Sequence, residues 1–196
     1  FSVDYEKQEI ASSKLVFSQV MYALMLQKYN GNFVLKIFDI FYKSTVEIIY
    51  LLSSFYKSVD ICKPKTSRFA NSEKYIVCSG FLFNDTSNYY EKFYEIIESL
   101  RDNDMQTFSS IFNFDIPQFY VKEIEELNVV LGKKQLSVIN TTLQCANENR
   151  DDKIMKIRKN NIDKCLLWCQ ANNMQYNAVF KPENMFSRYS KNKNTK

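Results

Sequence analysis

Histidine is absent from all 196 residues. That removes Ser–His and Cys–His nucleophile pairs, and with them the commonest metal ligand. Glycine and proline number three each. Gly31, Gly80 and Gly132 stand singly, so no glycine-rich cofactor loop can be assembled within this chain. No apolar run reaches the roughly 18 residues of a membrane-spanning helix, because charges interrupt every hydrophobic segment. The chain opens at Phe1 without a signal-peptide pattern. Five cysteines are present, Cys62, Cys78, Cys145, Cys165 and Cys169, with no CxxC pair. Cys165 and Cys169 lie one helical turn apart and could supply half a zinc site. Two small buried helix residues in a reducing compartment is the favoured reading. An intracellular setting follows.

What the chain has in abundance is aromatic side chains, 16 Phe and 13 Tyr. Its net charge of +4 is unevenly spread. Residues 147–196 hold eleven Lys and Arg against five Asp and Glu, so the rest of the chain is slightly acidic. A basic tail suits an anionic partner, although most such tails are simply solvated.

The most informative stretch runs from Gly31 to Phe81. Residues 32–38 (NFVLKIF) are almost wholly apolar and β-prone, the pattern of a strand covered on both faces. Lys36 interrupts that run, and an ammonium in a buried strand is costly unless it serves a site or reaches the strand end. A helix over 9–28 precedes it, with Leu15, Phe17, Val20, Met21, Leu24 and Met25 on one side. A second helix over 43–57 presents Val46, Ile49, Leu51, Leu52 and Phe55 to the sheet. A strand at 58–63 follows. This βαβ order predicts two parallel strands. The strand Tyr75–Phe81 returns after a short loop and is therefore read as antiparallel. That loop, Lys63–Glu73, gathers Lys63, Lys65, Ser67, Arg68, Asn71 and Glu73, a concentration of phosphate-reading groups beside one carboxylate. Beyond Asn84 the periodicity is helical: 87–101, a short helix near 104–112, a long one from Pro117 to about 148 with a break near Gly132, and one over 150–171.

GNFVLKIFD followed by KPKTSRFANSEKY resembles the FtsJ-like 2′-O-ribose methyltransferases, in particular the mRNA cap branch of eukaryotes and large DNA viruses. The resemblance covers residues 1–80 well and fades by about 145. It implies an α/β, Rossmann-like methyltransferase sheet in which the last, antiparallel strand inserts between its predecessors, followed by a helical extension. It divides the chain into 1–83, the C-terminal part of the methyltransferase domain; 84–172, the extension; and 173–196, a basic flexible tail.

The same resemblance implies S-adenosylmethionine as methyl donor and capped mRNA as substrate, with other capping-machinery subunits as further partners. A ribose hydroxyl is a poor nucleophile that must be oriented and relieved of its proton. Lys36 matches the second lysine of the family's lysine–aspartate–lysine–glutamate tetrad, and Glu73 matches its glutamate. Lys63, Lys65 and Arg68 are the implied phosphate contacts, Ser67 and Asn71 the implied ribose or phosphate hydrogen-bonders. An ordinary strand-end ion pair is the bland alternative for Lys36 and Glu73. Phe69 departs from the proline usual in this loop and is expected to loosen it. The first lysine, the glycine-rich donor loop and the aspartate of a DGG turn have no counterpart here. The chain is therefore expected to lack the donor-binding half, which would lie upstream. A scaffold subunit that keeps the fold without catalysis is one alternative, an rRNA or tRNA ribose methyltransferase another. Composition and the branch resemblance suggest a viral source, placing the protein in host cytoplasm or virion; a cellular source would place it in the nucleus.

Overall fold

The computed structural model describes residues 7–65, 67–102, 110–148 and 151–176. Helix α1 (Gln8–Leu26) leads into strand β1 (Phe33–Ile37), helix α2 (Lys43–Phe55), strand β2 (Tyr56–Cys62) and strand β3 (Lys74–Phe81). After a 3-10 turn at Ser87–Tyr89 come helices α3 (Tyr90–Asp102), α4 (Gln118–Glu148) and α5 (Asp151–Ala171). Two compact units result, Phe1–Leu143 and Gln144–Lys196.

The sheet has the order β1-β3-β2, with β3 central and antiparallel to both neighbours. Insertion of the last strand between its predecessors agrees with the family pattern. The parallel pairing expected of a Rossmann-like sheet is not found among the described residues. β1 and β2 share a direction, since each opposes β3, but β3 separates them. The short polar loop before β3 explains this, because a parallel neighbour would need a crossover of a dozen or more residues.

Helices α1 and α2 cover one face. Phe17, Val20, Met21 and Leu24 of α1 meet Ile48, Ile49 and Leu52 of α2 over Leu35, Ile37, Ile76 and Cys78 of the sheet. Each large apolar side chain buried there contributes about 1.5–3 kcal/mol. Phe55, Phe81, Phe83, Tyr89 and Phe93 extend the core as an aromatic cluster with centroids 4.9–6.2 Å apart. Ile116 and Ile124 join the same core, and Tyr120 of α4 packs edge-on against Tyr50 of α2.

One expectation about β1 fails. Leu35 and Ile37 are buried, but Val34 is 60% exposed and Lys36 is exposed as well. The period-2 pleat sends 34 and 36 to the face that α1 and α2 do not cover. Lys36 therefore meets solvent, and its charge carries no full burial cost.

Helix α2 begins without a side-chain cap of its own, since Tyr42 stands at its N-cap. Glu9 of α1 does that work from a distance. Its buried carboxylate accepts from the backbone N–H groups of Phe41 and Tyr42 at 3.0–3.1 Å and from Thr45 Oγ1 at 2.6 Å. An anion here satisfies orphan donors and sits at the positive end of the helix dipole. Glu9→Ala is expected to lower stability by about 2 kcal/mol, combining a lost cap with unsatisfied buried donors. Chemical denaturation of the two proteins measures it, and a change under about 0.5 kcal/mol would refute the capping role. Midway along α2, the fully buried Glu47 accepts from Ser110 Oγ and from the Ile111 N–H.

Helix α4 runs unbroken through Gly132, contrary to the expected interruption. A single glycine costs a helix only about 1 kcal/mol, which a long helix absorbs. The short helix expected near 104–112 falls largely on residues 103–109, outside the described residues, and 111–114 form a bend. Residues 177–196 of the expected tail also lie outside them.

In the second unit, α5 has no buried residue, and Trp168 is 42% exposed. Cys165 is exposed and Cys169 half-buried, so the expectation of two buried cysteines is not met. Among the described residues no three His, Cys, Asp or Glu side chains converge to hold a metal ion. Nor is any described helix long and apolar enough to cross a membrane.

Candidate active site

The ends of β1 and β3 bring the two principal candidates together. Lys36 is paired with Tyr75 across the ladder, and Tyr75 with Cys62 beyond it, so these three side chains form one row on the uncovered face. Glu73 precedes β3 by one residue and shares the facing of Tyr75. Lys36 Nζ lies 2.8 Å from Glu73 Oε2, and the Tyr75 hydroxyl donates to Glu73 Oε1 at 2.7 Å. Lys36 Nζ also stands 5.4 Å from the Phe38 ring centroid.

The electrostatics follow from that geometry. The hydrogen bond to Glu73 raises the Lys36 pKa above its ordinary 10.5, against a smaller opposing effect of burial. Glu73 is held below the usual carboxylate range, first by Lys36 and then by Tyr75. Tyr75 is raised, chiefly because its hydroxyl donates to that carboxylate. At neutral pH the pair is therefore an ammonium facing a carboxylate. In these surroundings Lys36 can donate a hydrogen bond to an oxygen and stabilise negative charge, but it has no vacant lone pair to accept a proton.

The loop Lys63–Glu73 is folded by two tight turns, Ser67 N–H to Pro64 O at 2.9 Å and Asn71 N–H to Arg68 O at 3.2 Å. Lys65 and Arg68 are exposed on it, without an ion-pair partner among the described residues. Ser67 is half-buried. Lys63 faces inward: its ammonium donates to Asn71 O, Asn71 Oδ1 and Glu73 O at 2.7–2.8 Å. The side-chain oxygen of Asn71 is thereby engaged with Lys63. Burial, followed by the nearby Lys74, lowers the Lys63 pKa.

Helix α4 holds this loop from outside. Lys134 Nζ stands 4.1 Å over the centroid of the Phe69 ring, a cation–π contact. Gln135 Nε2 donates to Ala70 O at 3.3 Å. The phenylalanine expected to loosen the loop is thus a seat for the helix.

Sequence reasoning passed over three participants. Tyr75 was legible, since alternation places residues 73 and 75 on one face. Asp39 and Lys74 form a second pair, and neither residue stands out in the sequence. Lys74 is buried, and its ammonium contacts Phe38 O at 3.1 Å, Asp39 Oδ1 at 3.2 Å and Ser72 O at 3.0 Å. Nothing in the spacing of Asp39 and Lys74 reveals a pair that exists only once β1 and β3 lie side by side.

The residues present do not by themselves fit S-adenosylmethionine. A donor cradle needs backbone that approaches the ligand closely, and none of the three glycines offers it. A Cβ at Gly31 would fall 2.0 Å from the side chain of Gln27, the residue that caps the end of α1. Gly80, at φ +70°, abuts Lys57, and Gly132 lies in a helix with open space around it.

The β1–β3–β2 sheet carries a lysine–glutamate pair at its strand ends beside a basic loop, and the family profile of the FtsJ-like methyltransferases matches residues 1–81. Residues 1–81 belong to that family. It is 32% identical over 185 residues to the cap-specific mRNA (nucleoside-2′-O-)-methyltransferase 1A of Caenorhabditis briggsae, covering 89% of this chain and 21% of that protein. It is 31% identical over 185 residues to the inactive cap-specific mRNA (nucleoside-2′-O-)-methyltransferase 1B of the same nematode, covering 89% and 22%. With the cap-specific mRNA (nucleoside-2′-O-)-methyltransferase 1 of Mus musculus it shares 35% identity over 132 residues, 65% of this chain and 15% of that one. The chain thus spans about a fifth of the length of the nematode proteins. These relatives come from cellular organisms and give the viral reading of the composition no support.

Proposed function

We propose that this chain supplies the ribose side of the active site of a cap-specific mRNA 2′-O-methyltransferase, with S-adenosylmethionine bound by residues outside it. The observation that carries this reading is the Lys36–Glu73 pair, 2.8 Å apart on the uncovered sheet face and next to a loop that exposes Lys65 and Arg68. The Lys36 ammonium holds the ribose 2′-oxygen by donating to it and favours the charge that develops there as the hydroxyl proton passes to water. Glu73 fixes the direction of Lys36, and Tyr75 fixes Glu73. Arg68 and Lys65 take RNA phosphates, Arg68 through its planar fork. Ser67 and Asn71 complete the contact to the sugar–phosphate chain. Lys63 turns its ammonium into the loop, so phosphate contact falls to Arg68 and Lys65. Names of the relatives favour capped mRNA over rRNA or tRNA as substrate.

The test is methylation of short capped RNAs by the full-length protein. Capped RNA should be methylated, and a 2′-deoxy sugar at the target nucleotide should abolish product. Equal methylation of uncapped RNA would refute cap specificity, and methylation of the 2′-deoxy substrate would refute the ribose as acceptor. A second reading, a non-catalytic RNA-binding subunit, rests on the similar identity to the inactive nematode relative. Tight RNA binding without any turnover would favour it.

A further inference from the structure

The two lysines on either side of the site have no free donor. An ammonium has three N–H groups and no acceptor. Lys63 has three acceptors around one nitrogen, Asn71 O, Asn71 Oδ1 and Glu73 O. Lys74 likewise has three, Phe38 O, Asp39 Oδ1 and Ser72 O. Together they bind three consecutive carbonyls, those of residues 71, 72 and 73. Lys63 leaves from the end of β2, and Lys74 ties the same peptide run to the end of β1, two residues beyond Lys36. All three strands are thereby tied to the backbone that carries the Glu73 carboxylate. Charge-assisted bonds of this kind are short and stronger than neutral ones.

We propose that Lys63 and Lys74 are positioning residues, a pair of saturated ammonium clamps that fix the Glu73 backbone so that its carboxylate meets Lys36. This rests on Lys36–Glu73 as the reacting pair and assigns Lys63 a task other than direct phosphate contact. The two roles make opposite demands on the side chain. A phosphate accepts arginine at least as well as lysine, through the guanidinium fork. Three acceptors converging on a single tetrahedral nitrogen do not accept a planar guanidinium, whose donors point outward from three nitrogens.

Lys63→Arg separates them, because it keeps the charge. In the full-length protein the clamp predicts a kcat lower by about 10- to 100-fold, the scale of a misplaced reacting group. KM for capped RNA and its salt dependence should stay the same. In the same variant the Glu73 carboxylate, followed by carbon-13 NMR, should titrate higher, nearer the ordinary carboxylate range, although no charge has been removed. Unchanged kcat and unchanged Glu73 titration would overturn the proposal, as would a rise in KM with kcat intact. Should Lys63→Arg not fold, nitrogen-15 NMR of the unmodified protein decides. A saturated Lys63 ammonium exchanges its protons slowly and is unmoved by a capped oligoribonucleotide, whereas Lys65 exchanges fast and shifts. A Lys63 signal that exchanges like Lys65 and shifts with RNA would refute the clamp. The Glu73 titration and the ammonium signal need no turnover, so they stand even if the protein proves not to methylate RNA.

Discussion

Lys36→Ala in the full-length protein should abolish ribose methylation, lowering kcat by about 10³-fold or more while RNA affinity stays within about twofold. The magnitude follows from where the side chain acts. Its ammonium would meet the ribose oxygen as charge develops, so its loss falls on the transition state and not on ground-state binding. Stability should hardly change, because the side chain is 49% exposed and buries little. Lys36→Arg should fail almost as badly. A guanidinium beside Glu73 would form two parallel bonds with that carboxylate and turn its donors away from the ribose. Single-turnover methylation with both variants, alongside RNA binding, gives the answer. Turnover near wild type in either would remove Lys36 from the mechanism.

Glu73→Gln should lower kcat on the order of 10- to 100-fold, since the amide keeps the shape but no longer anchors an ammonium. RNA affinity should be nearly unaffected. Arg68→Ala should do the opposite, weakening binding and lowering the salt slope by about one phosphate contact. The ion pair also sets a pH signature. Glu73 is depressed in the folded chain, so its contribution to stability is present above its ordinary value of 4.5 and is lost as pH falls through the lower folded value. Lys36 is raised, so its contribution is present below 10.5 and is lost as pH rises through the higher folded value. Wild type should therefore outlast Glu73→Gln on the neutral plateau by no more than about 1 kcal/mol, given that the Lys36 side chain is half exposed. The gap should close in acid. Melting curves at neutral and acid pH test this. A Glu73→Gln protein that melts earlier yet methylates normally would leave only a structural ion pair.

Local order was legible wherever one pattern dominated. The apolar period of α1 and α2 located both helices to within a few residues. SRFANSEKY pointed to the Lys36–Glu73 pair that the geometry brings to 2.8 Å. What escaped was set by packing across the chain. The run NFVLKIF suggested a strand buried on both sides, because apolar Val34 looks the same whether or not anything covers it. The Glu9 cap joins residues more than thirty positions apart, and the Asp39–Lys74 pair joins two strands separated by a helix and another strand. Charge at Lys63 was read as a phosphate contact because residue type reveals a cation but not the direction in which it turns. The folded loop turns its donors back onto the loop's own carbonyls.

Helix α4 touches both loops of the site from one side: Asn128 Nδ2 donates to Ile40 O at 2.6 Å, and Gln135 Nε2 to Ala70 O at 3.3 Å. These two residues stand roughly two helical turns apart, about 10 Å along the axis. The helix is thus a ruler whose graduations are whole turns, and the distance between the two loops is written into its length. Point substitutions along its outer side leave that measure intact. Insertion or deletion of one residue between Asn128 and Gln135 would rotate the far contact by about 100° and swing Lys134 off the Phe69 ring. Selection on this stretch should therefore act on residue count more strictly than on residue identity, with lengthening tolerated mainly in steps that restore the same face.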